Sequence, residues 1–148
     1  MKAWIQNGGA TFAAVLAAAV TLPSKASPLP EQWPAHASVS YVSGGIGEGE
    51  AQRLQAQGRD YPLTVELLER ATPRDEYTAD ANVTITDARD GRIVLDAKAE
   101  GPFMLVHLPA GNYRIAASLH GHSLPEHRVH VADSGHAKTT FVFPAHVD

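Results

Sequence analysis

From Tyr61 onward apolar residues recur at every second position and turn residues return about every ten, a pattern that suits many short antiparallel strands and excludes a long helix. Leu63, Val65 and Leu67 share one face. Val83 and Ile85 share the inner face of another strand, with Asn82, Thr84 and Thr86 outside. Tyr113, Ile115, Ala117 and Leu119 point inward between outward Arg114, Ser118 and His120. Residues 103–108 (Phe-Met-Leu-Val-His-Leu) are apolar on both faces, which predicts a central strand, with His107 near its end. Val129 and Val131 continue the inner face, and Phe141 with Phe143 closes the core in a last strand. Asp90-Gly91 is the strongest hairpin signal, Pro109-Ala110-Gly111-Asn112 turns the chain again, and a loop around Ser123-Leu124-Pro125 is expected to return the Tyr113 strand. Counting from Pro62 gives about seven strands, enough for an all-β, antiparallel Greek-key sandwich. A small closed barrel is the competing closure, and the chain lacks the repeated glycine corners that it wants.

The segment before this pattern reads differently. Val39, Tyr41 and Val42 suggest a short strand. Gly44-Gly45-Ile46-Gly47-Glu48-Gly49-Glu50 is a glycine loop entering a short helix over residues 51–57, with Glu48 and Glu50 favourably placed in its first turn and Gly58 as its stop. Further upstream, Ser27-Pro28-Leu29-Pro30-Glu31-Gln32-Trp33-Pro34 carries three prolines and no period, so it reads as an extended lead-in. Lys2, the apolar run over residues 10–22 and the small residues Ser24 and Ala26 form a secretory signal pattern with cleavage expected after Ala26. The apolar run is too short to span a bilayer, which needs about 20 residues. The expected organisation is therefore a signal peptide over residues 1–26, a lead-in, glycine loop and short helix over 27–60, and the sandwich over 61–148.

Composition narrows the function classes. The 148 residues contain no cysteine, which excludes a disulfide framework, a thiolate metal site and a thiol nucleophile. The formal charge of −4 argues against nucleic acid, whose phosphates call for a basic surface. An exported small domain without cysteine points to the periplasm.

Ala81-Asn82-Val83-Thr84-Ile85-Thr86-Asp87, Asp90-Gly91 and above all Leu108-Pro109-Ala110-Gly111-Asn112-Tyr113-Arg114-Ile115 resemble the carboxypeptidase regulatory-like domains, transthyretin-like (prealbumin-like) β-sandwiches often attached to exported bacterial proteins. The resemblance covers roughly residues 61–143. It implies a fold far more sharply than an activity, and it carries no peptidase chemistry with it. In such a corner Pro109 sets φ, Gly111 permits a positive φ, and Tyr113 opens a strand with its ring buried and its hydroxyl free to tie the turn down.

Candidate chemistry is sparse. Gly45-Ile46-Gly47-Glu48-Gly49 lacks the spacing of a dinucleotide fingerprint and sets carboxylates where a pyrophosphate would lie. Asp87, Asp90 and Asp96 lack the alternation of a calcium loop, and Ser134-Gly135-His136 falls in a turn without the context of a nucleophile. Seven of the eight histidines lie after residue 106. If the hairpin turns near Leu124, His120 and His122 face outward on one strand with His130 diagonal on its partner, an imidazole set suited to zinc or copper, with His127, His136 and His146 as auxiliaries. Two function classes follow. One is a non-enzymatic periplasmic binding module for a protein or envelope component, using edge strands and the loops over 44–49 and 120–126. The other is a periplasmic zinc- or copper-binding protein using His120, His122 and His130.

Overall fold

The computed structural model describes residues 39–146, so the expected signal, its Ala26 cleavage point and the proline segment with Trp33 lie outside the described residues. Among the described residues ten strands and one α-helix follow in order: β1 (Ser40–Gly44), α1 (Glu48–Gln57) with a 3-10 turn (Gly58–Asp60), β2 (Leu63–Glu69), β3 (Glu76–Tyr77), β4 (Asn82–Asp87), β5 (Ile93–Lys98), β6 (Phe103–His107), β7 (Gly111–Leu119), β8 (His122–Ser123), β9 (His127–Val131) and β10 (Ala137–Phe143). They form an all-β sandwich. The first sheet runs β1-β6-β2-β10 with β3 beside the end of β2; the second runs β5-β4-β7, with β8 and β9 both against β7.

The period-two alternation places the core as expected. Leu63, Val65, Leu67, Met104, Val106, Phe141 and Phe143 of the first sheet meet Val83, Ile85, Tyr113, Ile115, Ala117 and Leu119 of the second, all buried. At ~25 cal/mol per Å² of apolar surface removed from water, this two-layer contact dominates the stability of the domain.

Three points differ from the sequence reading. The first sheet is mixed, because β10 runs parallel to β2, Thr139 opposite Val65 and Phe141 opposite Leu67. Alternation is the same in parallel and antiparallel strands, so the sequence pattern carries no information on direction. Second, β1 belongs to the sandwich, pairing antiparallel with β6 from Ser40 opposite His107 to Gly44 opposite Phe103. Third, Gly58 does cap the end of α1 after Gln57, as expected, but not in a left-handed turn. Its φ is −54°, its N–H donates to the Leu54 carbonyl, and the chain tightens into the 3-10 turn. A Cβ at residue 58 would lie 3.2 Å from Thr64 Oγ1, so this glycine serves the close approach of the helix end to the sheet.

Helix α1 explains the doubly apolar strand. Met104 and Val106 face the core, while Phe103 and Leu105 turn outward into a second buried cluster with Val42 and Leu54, flanked by Ala51 and Tyr61. The helix covers the outer face of the first sheet. No described element lies over the outer face of β4 and β7 in the same way, and that open face holds the candidate site.

Candidate functional site

The histidine set expected to hold a metal is not brought together. His120 (φ 47°) and Gly121 (φ 84°) both adopt positive φ, the backbone of a type I′ two-residue turn, and Leu119 pairs directly with His122. The hairpin therefore turns at His120-Gly121 and not near Leu124. The Leu124-Pro125 signal marks instead a slip of one residue, between Ser118 opposite Ser123 and Ile115 opposite His127. His130 then lies opposite Asn112, while His122 lies opposite Leu119. Along β7 that separation is roughly 23 Å at ~3.3 Å per residue. Among the described residues no group of three or more His, Asp and Glu is placed to hold a metal ion.

The auxiliary histidines have structural attachments. His127 Nδ1 is 2.6 Å from Thr139 Oγ1, and its ring stacks on Phe141 at 4.1 Å, joining the β9 and β10 edges of the two sheets. His136 Nδ1 donates to the Tyr61 carbonyl at 2.8 Å, and the backbone N–H of His146 donates to Glu69 Oε1 at 2.7 Å.

What the hairpin does bring together is a pair of arginines. The one-residue slip sets Arg114 of β7 directly opposite Arg128 of β9, with Thr86 of β4 on the other side of Arg114. Side chains directly opposite on one face have Cβ atoms about 4.5–5.5 Å apart, and like charges there repel. No ion pair within the described residues answers either arginine; those found are Arg89–Asp87, Lys98–Asp80 and Lys138–Glu66. The half-buried Arg114 carries a buried Nε with no hydrogen-bond partner. Around the pair lies an open depression of about 490 Å³, walled by Ala88, Asn112, Arg114, Arg128 and His130, with no carboxylate in its lining.

The rim of this depression is fixed by the chain itself. Asp87, only 4% exposed, accepts from the backbone N–H and Nη2 of Arg89, each at 2.9 Å. Hydrogen bonds from the Arg89 side chain and backbone hold the Asp87 carboxyl down at about 2. The one buried carboxylate of β4 is thus committed to Arg89 and the β4–β5 turn. The Ala88 N–H donates to the Asn112 carbonyl at 2.9 Å, tying that turn to β7. At the start of β7 the Tyr113 hydroxyl donates to the Pro109 carbonyl at 2.6 Å, the corner bond that the Leu-Pro-x-Gly-x-Tyr sequence leads one to expect. His130 Nδ1 lies 2.9 Å from Asn112 Oδ1 and donates to it, since an amide oxygen only accepts.

Chemically this is a donor set. Two guanidinium groups, each a planar fork of N–H donors, and the Asn112 amide face an open concavity, an arrangement suited to holding an anion. Sequence reading placed Arg114 and His130 outward but did not single out Arg128. The alternation of Arg128 and His130 with Val129 and Val131 was the available signal; the pairing with Arg114 needed the register, which the slip at Pro125 alters.

The glycine loop walls a second, mainly apolar depression of about 440 Å³ with Ala51, Tyr77 and Pro102, where Ile46 stands exposed. Among the described residues no helix is long and apolar enough to cross a membrane. Neither a comparison with protein-family models nor one with curated proteins finds a match for this chain.

Proposed function

We propose that the protein is a non-enzymatic binding module of the periplasm that engages an anionic group of a protein or envelope component through the outer face of its second sheet. The observation that carries this reading is Arg114 opposite Arg128 without a countercharge. Cross-strand like charges weaken a sheet by roughly 0.2–1 kcal/mol, and a partner's anion is what turns that repulsion into attraction. The secretory pattern at the start of the chain supports the location, and the resemblance to carboxypeptidase regulatory-like domains supports a module that binds without catalysing.

A photo-reactive residue tests the face directly. Placed at Ala116, on the same outer face two positions from Arg114, it is expected to give a reproducible adduct in the periplasmic fraction. The same residue at Gln52, on the exposed side of α1, is expected not to give that adduct. The Ala116 adduct must disappear when Arg114 and Arg128 are both replaced by Gln. An adduct indifferent to the arginines, or equal yields from both positions, sinks the reading.

A further inference from the structure

We infer that the group held by Arg114 and Arg128 is a phosphate monoester, a dianion, rather than a carboxylate. The inference rests on the anion-binding reading above and names its ligand.

Charge comes first. Two permanently protonated guanidinium groups face the depression and no acid lines it, so a monoanion leaves one charge unanswered and a dianion answers both. The neighbouring β4–β5 turn adds Arg89 and Arg92 against Asp87 and Asp90, and Asp87 is already bound to Arg89. No surplus negative charge reaches the pair from that side.

Donor geometry points the same way. A carboxylate is planar and is satisfied by a single bidentate fork. A phosphate monoester presents three terminal oxygens in a tetrahedron and accepts two forks from different directions, which the opposed arginines of β7 and β9 provide. Because His130 donates to Asn112 Oδ1, the Asn112 amide nitrogen is left to donate toward the same space.

The depression is shallow, lying on an open sheet face between a turn and an edge strand. It fits a phosphate at the end of a larger molecule. That phosphate can come from a soluble ester or from a phospholipid headgroup, and the two sources share the chemistry on which recognition rests.

The test is a titration of the purified exported protein at low ionic strength, followed by backbone amide NMR shifts. The probes are inorganic phosphate, glycerol 3-phosphate, acetate and glutarate. Phosphate and glycerol 3-phosphate are expected to move the amides of Thr86, Asn112, Arg114 and Arg128, with acetate and glutarate at least tenfold weaker. Arg114→Gln and Arg128→Gln are each expected to weaken phosphate binding tenfold or more, while Arg53→Gln on α1 leaves it unchanged. Sedimentation with phosphatidylcholine vesicles containing phosphatidic acid assigns the source: vesicle binding that greatly exceeds the soluble ester means a headgroup, and equal binding means the ester, both in support. If glutarate or acetate binds as well as phosphate and depends on the arginines, the phosphate inference falls and the anion-binding face survives. If no anion moves these amides, or Arg53→Gln weakens phosphate as much as the face variants do, both fall.

Discussion

The outer faces of the two sheets solve the same problem in opposite ways. On the first sheet the large apolar and charged groups that turn outward are answered within the chain, although the buried Thr64 hydroxyl has no hydrogen-bond partner. Phe103 and Leu105 are covered by Leu54 of α1, and the buried Glu66 is paired with Lys138 of the adjacent β10. Tyr77 packs its ring 5.0 Å from Phe103 and accepts from Gln55 Nε2 at 3.2 Å, linking the helix to the same face. On the second sheet, Thr84 donates to Asp96 across β4 and β5, but Arg114 and Arg128 stand side by side with no acid supplied. The fold can place a countercharge when stability calls for one, as Glu66 and Lys138 show. Beside the arginine pair no such countercharge is placed among the described residues, and the proposed reading gives that role to a partner's anion.

The largest expected effect breaks the covered face. Leu54 is fully buried between α1 and the first sheet, so Leu54→Ala removes its contacts and leaves a cavity. A loss of about 2–5 kcal/mol in urea unfolding is expected. Thr86→Ala, on the bare face, should change stability by no more than ~0.5 kcal/mol. Equal losses would mean that the two faces are not differently built.

The two faces were also unequally legible in the sequence. The inner core followed from alternation, because burial against a facing sheet imposes period two on Leu63, Ile85 or Ile115 whatever the topology. The covered face was half legible: residues 103–106, apolar at odd and even positions, read as a central strand, which β6 is between β1 and β2, but that α1 lies over its outer face was not read from the sequence. The Tyr113 corner was legible because Pro109 and Tyr113 act through local geometry, although Gly111 does not adopt the positive φ expected of it. What stayed hidden depends on pairing between distant residues. Whether β10 runs parallel to β2, and whether Arg128 meets Arg114 or its neighbour, is set by register. Here register was set by His120-Gly121, a turn dipeptide less telling than Asn-Gly, and by the slip at Pro125. The expected convergence of His120, His122 and His130 was misjudged for the same reason: moving the turn from Leu124 to His120-Gly121 sends His130 to the far end of β7.

A smaller effect sharpens the comparison at the rim of the bare face. Arg89 holds Asp87 down at about 2, against about 3.9 for an unperturbed Asp in an unfolded chain. Because the folded value is the lower one, the unfolded chain takes up this proton first as pH falls. The Asp87 contribution is therefore fully present above about pH 4 and is lost progressively as pH falls toward about 2. Urea unfolding between pH 5 and 2 should show this loss in the native sequence, and Asp87→Asn should flatten that part of the curve. Parallel curves would mean that Asp87 does not anchor the turn through its charge.

The smallest effect carries the opposite sign, and it bears most directly on why the bare face is as it is. Arg128→Thr removes the cross-strand repulsion and puts a β-branched residue on an edge strand, so the domain should gain roughly 0.2–1 kcal/mol. A gain from strand propensity alone would persist in 1 M salt, where the Debye length falls to about 3 Å. A gain from relieved repulsion should shrink there, and that salt dependence is the expected result. The same substitution should cost phosphate binding. A residue whose removal strengthens the fold and weakens ligand binding is kept for the ligand, whereas Arg128→Thr destabilising the domain at low salt would show that the guanidinium serves the fold, and the contrast between the two faces would lose its meaning.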